Sequence, residues 1–173
     1  MKKAARKRFI ESLAAYSIVN YLLAVRDRHN GNILIDEEGA VVHIDFGFFL
    51  SNSPGGNANF ERAPFKLTRE MIDVMGGEHS LEFATFRDHM IRGFRASRRV
   101  LPKVKMLVGL ALEAHGGTFP CFAGGREAVM GGLTERFRTD LVSKRETAMF
   151  VNEVRGFLRC FYAALVWFSC ILW

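Results

Sequence analysis

The sequence lacks the features that stabilise secreted proteins and anchor membrane proteins. Its three cysteines, Cys121, Cys160 and Cys170, form no Cys-x-x-Cys pair and leave one thiol unpaired, so a reduced, cytoplasmic compartment is the default. The nearly uninterrupted apolar run over residues 160–173 has 14 residues, too few to cross a bilayer core of about 30 Å as a helix. That run is also apolar on every side, which excludes an amphipathic surface helix.

A signal peptide is not expected either. Basic residues at the N-terminus precede an apolar stretch, but Glu11 and Asn20 interrupt it. Of the 173 residues, 49% are hydrophobic, enough to bury a core. The 24 lysines and arginines exceed the 18 acidic residues, and this net charge of +6 favours an anionic lipid surface, nucleotide or nucleic acid as partner. Nucleic acid is not expected, because no recognition motif or stacking platform is visible.

The stretch from Asp27 to Gly47 carries the side chains that phosphoryl transfer requires. That reaction needs a carboxylate near the acceptor hydroxyl, and an amide and a second carboxylate for Mg²⁺. Asp27 and Asn32 have the spacing of the base and the metal-binding amide in the protein-kinase loop H-R-D-x-x-x-x-N. Asp45, Phe46 and Gly47 then form the metal-binding D-F-G tripeptide. Each motif is weak alone, but the combination predicts a kinase.

A β-hairpin is predicted between the two motifs. Residues 33–35 and 41–44 are mostly aliphatic, and a turn at residues 36–39 separates them. Because a hairpin returns the chain to its starting point, we expect Asn32 and Asp45 to lie side by side. Two metal ligands at one end of a tight hairpin indicate chemistry rather than packing.

These motifs resemble those of the phosphatidylinositol 3- and 4-kinases. In that family Asp-Arg-His-Asn-x-Asn, here residues 27–32, is combined with His-Ile-Asp-Phe-Gly, here residues 43–47. Further stretches look like the type III beta phosphatidylinositol 4-kinases, and these are residues 14–19, 48–51, 64–68 and 73–77. The resemblance covers roughly residues 6–152 and implies a lipid kinase that uses ATP.

The resemblance implies a fold class and domain limits. We expect a mainly α fold with a small β-hairpin (α+β), the C-terminal lobe of a protein-kinase-like fold over residues 1–152, with the N-terminal lobe absent. Its parts would be a catalytic loop at 26–32, the D-F-G at 45–47 and an activation segment at 48–64. No Gly-x-Gly occurs to cover nucleotide phosphates, and only 26 residues precede Asp27. The chain alone is therefore expected to be inactive.

The rest of the chain is predicted to be helical up to a divergent end. Helices are expected from about Lys3 to Val25, after Thr68, after Ser80, beyond Pro102 as far as residues 116–117, and after the capping box of residues 143–146. Residues 153–173 depart from the family pattern and form a divergent apolar tail. An altered end is the preferred interpretation of this tail, and a membrane-docking segment is the alternative.

The catalytic loop offers two candidates for the base. By the resemblance, Asp27 would accept the proton of the inositol hydroxyl. His29 is a rival, because it is the nearby side chain that titrates close to neutral pH. The sequence does not decide between them. Arg28 is expected to brace the loop, and His43, on the second predicted strand, to be structural.

The remaining motif residues are assigned to cofactors. Asn32 and Asp45 would bind Mg²⁺, with Mn²⁺ as an alternative ion. Phe46 and Gly47 would complete the ATP-binding side of the site. The alternative to an enzyme is a non-catalytic fragment that acts as a membrane- or kinase-binding module.

The activation segment is expected, on the same resemblance, to face a lipid headgroup. Its polar candidates for substrate contact are Ser51, Asn52, Asn57, Asn59 and Arg62. The segment contains no cluster of cations, which favours unphosphorylated phosphatidylinositol as the acceptor. The expected partner is therefore phosphatidylinositol in a membrane surface. The expected location is cytoplasmic and peripheral on intracellular membranes, with the Golgi implied by the resemblance.

Overall fold

Helices make up most of this chain, and a short antiparallel hairpin packs on the first of them. The computed structural model describes residues 2–55 and 63–154. In chain order the elements are α1 (Lys3–Leu23), β1 (Ile33–Ile35), β2 (Val41–His43), α2 (Arg69–Val74), α3 (Leu81–Ser97), α4 (Leu101–His115), α5 (Gly125–Arg136) and α6 (residues 144–154). Single 3₁₀ turns lie at Asn30–Asn32, Arg98–Val100 and Pro120–Phe122. The expected mainly helical fold with a small hairpin is confirmed.

The packing of α1 on α3 forms the centre of the core. Apolar residues recur at three- and four-residue steps on both helices and give each one buried face. On α1 the buried apolar residues are Phe9, Ile10, Leu13, Ala14, Ile18 and Leu22. On α3 they are Phe83, Phe86, Met90, Ile91 and Phe94. Each large side chain contributes about 1.5–3 kcal/mol on burial, so this pair is a rigid base for the loop that follows α1.

The hairpin joins the core through its second strand. Its register pairs Ile33 with His43, Leu34 with Val42 and Ile35 with Val41. The predicted hairpin is confirmed, although β2 ends one residue earlier than expected, at His43. Alternate residues of a strand point to opposite sides, and accordingly Val41 and His43 are buried.

The turn of the hairpin is closed by Asp36 and tied to α1. The Asp36 carboxylate accepts hydrogen bonds from the backbone N–H groups of Glu38 and Ala40, at 3.0 and 2.7 Å. The Val41 N–H donates to Ser12 Oγ of α1 at 2.8 Å. The hairpin therefore has a fixed position on α1.

Serine and threonine caps begin the next helices where the sequence predicts them. Thr68 Oγ1 accepts from the Met71 N–H at 3.4 Å at the start of α2, and Ser80 Oγ accepts from the Phe83 N–H at 3.0 Å at the start of α3. Pro102 lies in the first turn of α4, where its missing N–H costs nothing. These three helix starts are confirmed.

α6 begins at the predicted capping box. Ser143 Oγ accepts from the Glu146 N–H at 3.0 Å, while Glu146 Oε2 accepts from the Ser143 N–H at 2.8 Å. The tail predicted at residues 153–173 lies outside the described residues after its first two. Within residues 2–55 and 63–154, no helix is both long and apolar enough to cross a membrane.

The sequence does not predict α5. Gly131 and Gly132 lie in its middle, and each glycine disfavours a helix interior by about 1 kcal/mol. Burial of Val129 and Leu133 against the core stabilises the helix nevertheless. In its last turn, Arg136 Nε donates to the Leu22 carbonyl at 2.8 Å. Carbonyls in the last turn of a helix lack partners within the helix, so α5 stabilises the end of α1.

Gly39 in the hairpin turn is expected to tolerate no side chain. It has a φ of +92°, and a Cβ there would lie 2.8 Å from the Ala5 carbonyl oxygen. Gly39→Ala should therefore lower the free energy of unfolding by about 3 kcal/mol, through left-handed strain and a backbone clash. Gly77→Ala is the matched control, because Gly77 has a φ of +91° and no described atom within 4 Å of its Cβ position.

The control variant should lose only about 1 kcal/mol, the cost of the left-handed backbone alone. Denaturant unfolding of both variants measures the difference. Equal losses would contradict the close approach of the turn to α1.

Candidate active site

The loop predicted to be catalytic begins where α1 ends. Ala24 has a left-handed backbone with a φ of +50°, which stops the helix. Two backbone hydrogen bonds then hold the chain after D-F-G against this point. The Arg26 N–H donates to the Phe48 carbonyl at 2.9 Å, and the Leu50 N–H donates to the Leu23 carbonyl at 2.7 Å. The loop and the D-F-G segment are therefore both anchored to the end of α1.

Arg28 joins the loop to the D-F-G segment directly. Its side chain is 6% exposed, and its guanidinium donates to three backbone carbonyls: Nε to Arg26 at 2.9 Å, Nη1 to Ile44 at 2.8 Å, and Nη2 to Asp45. The guanidinium carbon also lies 5.4 Å from the centroid of the Phe46 ring. A buried charge is costly unless hydrogen bonds compensate it, so these contacts fix the two segments relative to each other.

Asn32 and Asp45 come together at the open end of the hairpin. The Ile44 N–H donates to the Asn32 carbonyl at 3.1 Å, which brings the next residue, Asp45, to Asn32. The Asn32 side chain is buried, and its Nδ2 donates to the Asp27 carbonyl at 2.8 Å. Because that bond occupies the amide nitrogen, the amide oxygen is the atom that can bind a cation. Asp45 Oδ1 accepts from the Gly47 N–H at 3.3 Å.

Asp27 and Asp45 both have left-handed backbones, with φ values of +60° and +56°. Aspartate is one of the few residues other than glycine that tolerate this region. Such conformations persist where surrounding contacts impose them, and they cluster at functional sites. Here the Asn32 side chain holds the Asp27 carbonyl, and Arg28 holds that of Asp45.

His29 caps the 3₁₀ turn that follows it. Its Nδ1 accepts from the Gly31 N–H at 3.1 Å. A backbone N–H can only donate, so Nδ1 carries the lone pair and the neutral ring carries its hydrogen on Nε2. The exposed ring therefore presents a hydrogen-bond donor on Nε2 while this bond persists.

His43 is buried between β2 and α1, on the core side of the site. Its ring stacks on that of Tyr16, with centroids 4.4 Å apart and planes 11° apart, and its Nδ1 lies 3.2 Å from Asn20 Nδ2. An amide N–H donates, so the neutral ring accepts it. Burial, followed by the positive charges of Arg28 and Lys66, lowers the pKa of His43 to about 4. This agrees with the expected structural role.

Two of the predicted substrate-facing residues make internal contacts. Asn52 Oδ1 accepts from the Phe49 N–H at 2.9 Å, and Asn52 Nδ2 donates to the Gly47 carbonyl at 3.2 Å. Ser51 Oγ donates to the Cys121 carbonyl at 2.5 Å, which joins the segment to the turn after α4. Both side chains thus shape the start of the segment. The other three predicted residues, Asn57, Asn59 and Arg62, lie outside the described residues.

Lys66 is a site residue that the sequence analysis does not assign. Its Nζ lies 2.6 Å from Asn30 Oδ1, in the middle of the catalytic loop. The available signal is the alternation of buried Phe65 and Leu67 around it, which turns Lys66 away from the core. Nearby, Arg26 Nη1 donates to the Ala63 carbonyl at 3.2 Å. The end of the activation segment is therefore fixed against the loop.

The outward face of the hairpin is apolar and open. Leu34, Ile44 and Phe46 are 48%, 40% and 46% exposed. Leu34 pairs with Val42 across the hairpin, two residues before Ile44, so Leu34 and Ile44 belong to one face of it. Ile44 and Phe46 are the residues directly before and after Asp45 in the chain.

The donor set of the site is small. In the described part of the chain, no three His, Cys, Asp or Glu side chains form a group that could hold a metal ion. Asn32 and Asp45 instead pair one amide with one carboxylate. Mg²⁺ sites with so few protein ligands are completed by water and by the phosphates of a bound substrate. The residues present therefore fit a metal that arrives with a phosphorylated ligand.

Comparison with known sequences finds relatives along most of the chain. The profile of a family described as phosphatidylinositol 3- and 4-kinase matches residues 2–116. A phosphatidylinositol 4-kinase of Dictyostelium discoideum is 50% identical over 152 residues, which are 88% of this chain and 12% of that protein. Phosphatidylinositol 4-kinase beta 1 of Arabidopsis thaliana is 46% identical over 160 residues, 90% of this chain and 14% of that protein.

A mammalian protein gives a similar sequence match. Phosphatidylinositol 4-kinase beta of Rattus norvegicus is 41% identical over 156 residues, which are 90% of this chain and 18% of that protein. The chain thus spans only 12% to 19% of the lengths of the curated relatives that it matches. The resemblance inferred from the motifs is confirmed by these matches, and the relatives' names agree with the 4-kinase branch.

The low pKa of His43 predicts a pH dependence of stability. Its folded pKa of about 4 lies below the ordinary 6.5, so between these values the unfolded chain binds more protons. Stability should therefore be full above about pH 6.5 and fall as the pH drops towards about 4. His43→Phe keeps a ring against Tyr16 but cannot titrate, which makes it the control.

Between about pH 7 and pH 4, the wild type should lose up to about 3 kcal/mol more of its free energy of unfolding than His43→Phe. Denaturant unfolding across this pH range measures both proteins. The same pH dependence in both would contradict a buried, neutral His43.

Proposed function

Because this chain belongs to the phosphatidylinositol 3- and 4-kinase family, we propose that it forms the C-terminal lobe of a phosphatidylinositol 4-kinase. The reaction is transfer of the γ-phosphate of ATP to the inositol ring of phosphatidylinositol, at the position that the relatives' names give. The observation that carries the proposal is the meeting of Asp27, Asn32 and Asp45 at one end of the hairpin, held by Arg28. These are the groups that phosphoryl transfer to a hydroxyl requires.

Asp27 is the better candidate for the base. Its backbone is fixed by the Asn32 side chain, and it occupies the loop position of the kinase base. His29 is less suited, because its Nδ1 already accepts the Gly31 N–H and its Nε2 carries the hydrogen. We assign His29 the role of a donor that orients the acceptor hydroxyl or a phosphate oxygen.

Asn32 and Asp45 would hold Mg²⁺, with Mn²⁺ as the alternative ion. When it is bound with ATP, the metal neutralises charge on the phosphates and so assists transfer. The contribution of this chain is to hold two oxygen ligands in place beforehand. The Asp27 carbonyl orients the Asn32 amide, and Arg28 fixes the backbone of Asp45.

The apolar face of the hairpin would hold the base of ATP. Leu34, Ile44 and Phe46 are exposed beside Asp45, so a flat ring can be buried there while its phosphates meet the carboxylate. The glycine-rich loop and strand lysine of a kinase would come from an N-terminal lobe. Such a lobe would belong to the length of the relatives that this chain does not span.

The acceptor is a bilayer lipid, so the active site must approach a membrane surface. The net charge of +6 favours an anionic leaflet. We therefore place the lobe peripherally on the cytoplasmic face of intracellular membranes. The Golgi, among these membranes, is supported by the family resemblance alone.

Asp45→Asn is expected to abolish turnover while leaving the fold intact, because asparagine accepts the left-handed backbone but loses the charge that binds the metal. Asp27→Asn should lower kcat by about 10²- to 10⁴-fold through loss of the base. The assay is lipid phosphorylation by a kinase in which this chain is joined to an N-terminal lobe, the two-lobe kinase. Tm is the folding control.

Asp73→Asn is the matched control for this series. Asp73 is an exposed carboxylate 3.2 Å from Arg69 Nε, and it has no role in the proposed reaction. Its variant should therefore keep wild-type activity. Wild-type turnover by Asp45→Asn would end the magnesium assignment. Wild-type kcat in Asp27→Asn would transfer the role of base to His29.

Unmodified phosphatidylinositol is expected to be the preferred acceptor. In residues 48–64 the only ionisable side chains are Glu61 and Arg62. Each additional headgroup phosphate carries about −1.5 to −2 charges, if it behaves as a protein phosphomonoester does, and would need several cations to bind it. The two-lobe kinase should therefore show a higher kcat/KM for phosphatidylinositol than for a phosphatidylinositol phosphate at equal surface density.

Charge added to this segment should narrow that preference. Asn57→Lys combined with Ala58→Lys supplies two cations and should raise kcat/KM for the phosphorylated lipid. Faster turnover of the phosphorylated lipid by the wild type would show that the charge argument is wrong. If the double variant does not use the phosphorylated lipid better than the wild type does, the charge argument is also wrong.

A further inference from the structure

Lys66 lies between two core residues in the segment that precedes α2. Residues 65–68 follow the activation segment and lead into α2, which begins at the Thr68 cap. Phe65 and Leu67 are 4% and 6% exposed and belong to the core. Lys66 lies between these two buried residues but is itself only half-buried, because its side chain leaves the core.

On that side, Lys66 reaches the catalytic loop. Its ammonium donates to Asn30 Oδ1 at 2.6 Å, a short charge-assisted bond. Asn30 lies between Asp27 and Asn32 in the chain, so the cation is held at the loop that carries the candidate base and metal ligand.

We infer that Lys66 binds a phosphate oxygen of the bound reactants, an inference that rests on the proposed kinase function. A lysine ammonium is a point charge with three donor hydrogens, and it pairs readily with phosphate oxygens. A cation fixed in advance, where negative charge gathers, is a main source of rate enhancement in phosphoryl transfer. Asn30 and the anchors Phe65 and Leu67 supply that fixation.

Two phosphates offer such an oxygen: the transferred phosphate of ATP and the phosphodiester of phosphatidylinositol. Variants of the two-lobe kinase distinguish them. Lys66→Met should lower kcat/KM for lipid phosphorylation by about 20- to 100-fold, the worth of one charge-assisted hydrogen bond. Lys66→Arg should recover part of this loss, because it keeps the charge.

The pattern of the loss identifies the phosphate. A rise in KM for phosphatidylinositol in phosphatidylcholine vesicles, with ATP hydrolysis in the absence of lipid unchanged, points to the phosphodiester. A fall in kcat together with a fall in lipid-independent ATP hydrolysis points to the transferred phosphate. Wild-type kinetics for Lys66→Met, in an enzyme that phosphorylates phosphatidylinositol, would overturn the inference and leave the proposed function standing.

Two control variants distinguish phosphate binding by Lys66 from a contact that only holds the loop in position. Asn30→Ala removes the anchor of Lys66 but leaves the cation, and should cost only about 2- to 5-fold, because Lys66 can still bind the phosphate. Arg69→Gln removes an exposed cation three positions further on, which pairs with Asp73, and should keep wild-type activity. Equal losses of kcat/KM in Asn30→Ala and Lys66→Met would show that the contact between Lys66 and Asn30 is purely structural and would overturn the inference.

Amine labelling gives a readout that does not depend on turnover. The rate at which Lys66 reacts with an amine-reactive reagent is followed by mass spectrometry, with the exposed Lys103 as internal control. The probes are a non-hydrolysable ATP analogue with Mg²⁺, and phosphatidylinositol vesicles compared with vesicles of phosphatidylcholine alone. We expect one probe to slow the labelling of Lys66 and not that of Lys103.

Labelling of Lys66 that neither probe slows would show that the inference is wrong. If the wild-type two-lobe kinase does not phosphorylate phosphatidylinositol, the proposed function fails instead. Protection of Lys66 by the ATP analogue or by the lipid would still support phosphate binding in that case, so the two failures are distinguishable.

Discussion

The guanidinium of Arg28 binds backbone carbonyls on both sides of the candidate active site, and the relative position of Asp27 and Asp45 follows from that contact. Carbonyls carry only partial charges, so several hydrogen bonds must act together to offset the desolvation of a buried cation. The planar guanidinium has donors in a fixed geometry that suits three acceptors at once, whereas the ammonium of a lysine is a point charge. Asp27, which precedes Arg28, and Asp45, whose carbonyl it binds, are set relative to each other as a result.

The same kind of contact stabilises the helices behind the site. Arg136 donates to the Leu22 carbonyl in the last turn of α1, and Arg98 donates to the carbonyls of Phe137 and Leu141, beyond the end of α5. The Leu22 and Phe137 carbonyls lie at the C-terminal, negative ends of α1 and α5, where a cation is favourable as well as a hydrogen-bond donor. The end of α1 that presents the catalytic loop is therefore supported by α5, and α5 by the junction of α3 and α4.

Sequence reasoning predicts the parts of the site whose contacts are local. The spacing of Asp27 and Asn32, the hairpin and the helix caps each depend on residues a few positions apart, so pattern and composition reveal them. Contacts to backbone carbonyls leave no pattern in the sequence, because every residue offers the same acceptor. Arg136 and Leu22 are 114 positions apart, and nothing in either residue type indicates the pair. Lys66 is intermediate, since its direction is visible in the sequence but its partner is not.

The left-handed backbones of Asp27 and Asp45 have an evolutionary consequence. Most residue types would strain the chain at both positions, whereas asparagine adopts the same torsions almost as readily as aspartate. The codons of aspartate and asparagine differ by a single base. If Asp27 and Asp45 have the proposed catalytic roles, a gene copy released from selection for catalysis could drift by single-base steps to a folded pseudoenzyme. Such a descendant would keep every surface through which the lobe meets other molecules, and could persist as a scaffold or a competitor of its active parent.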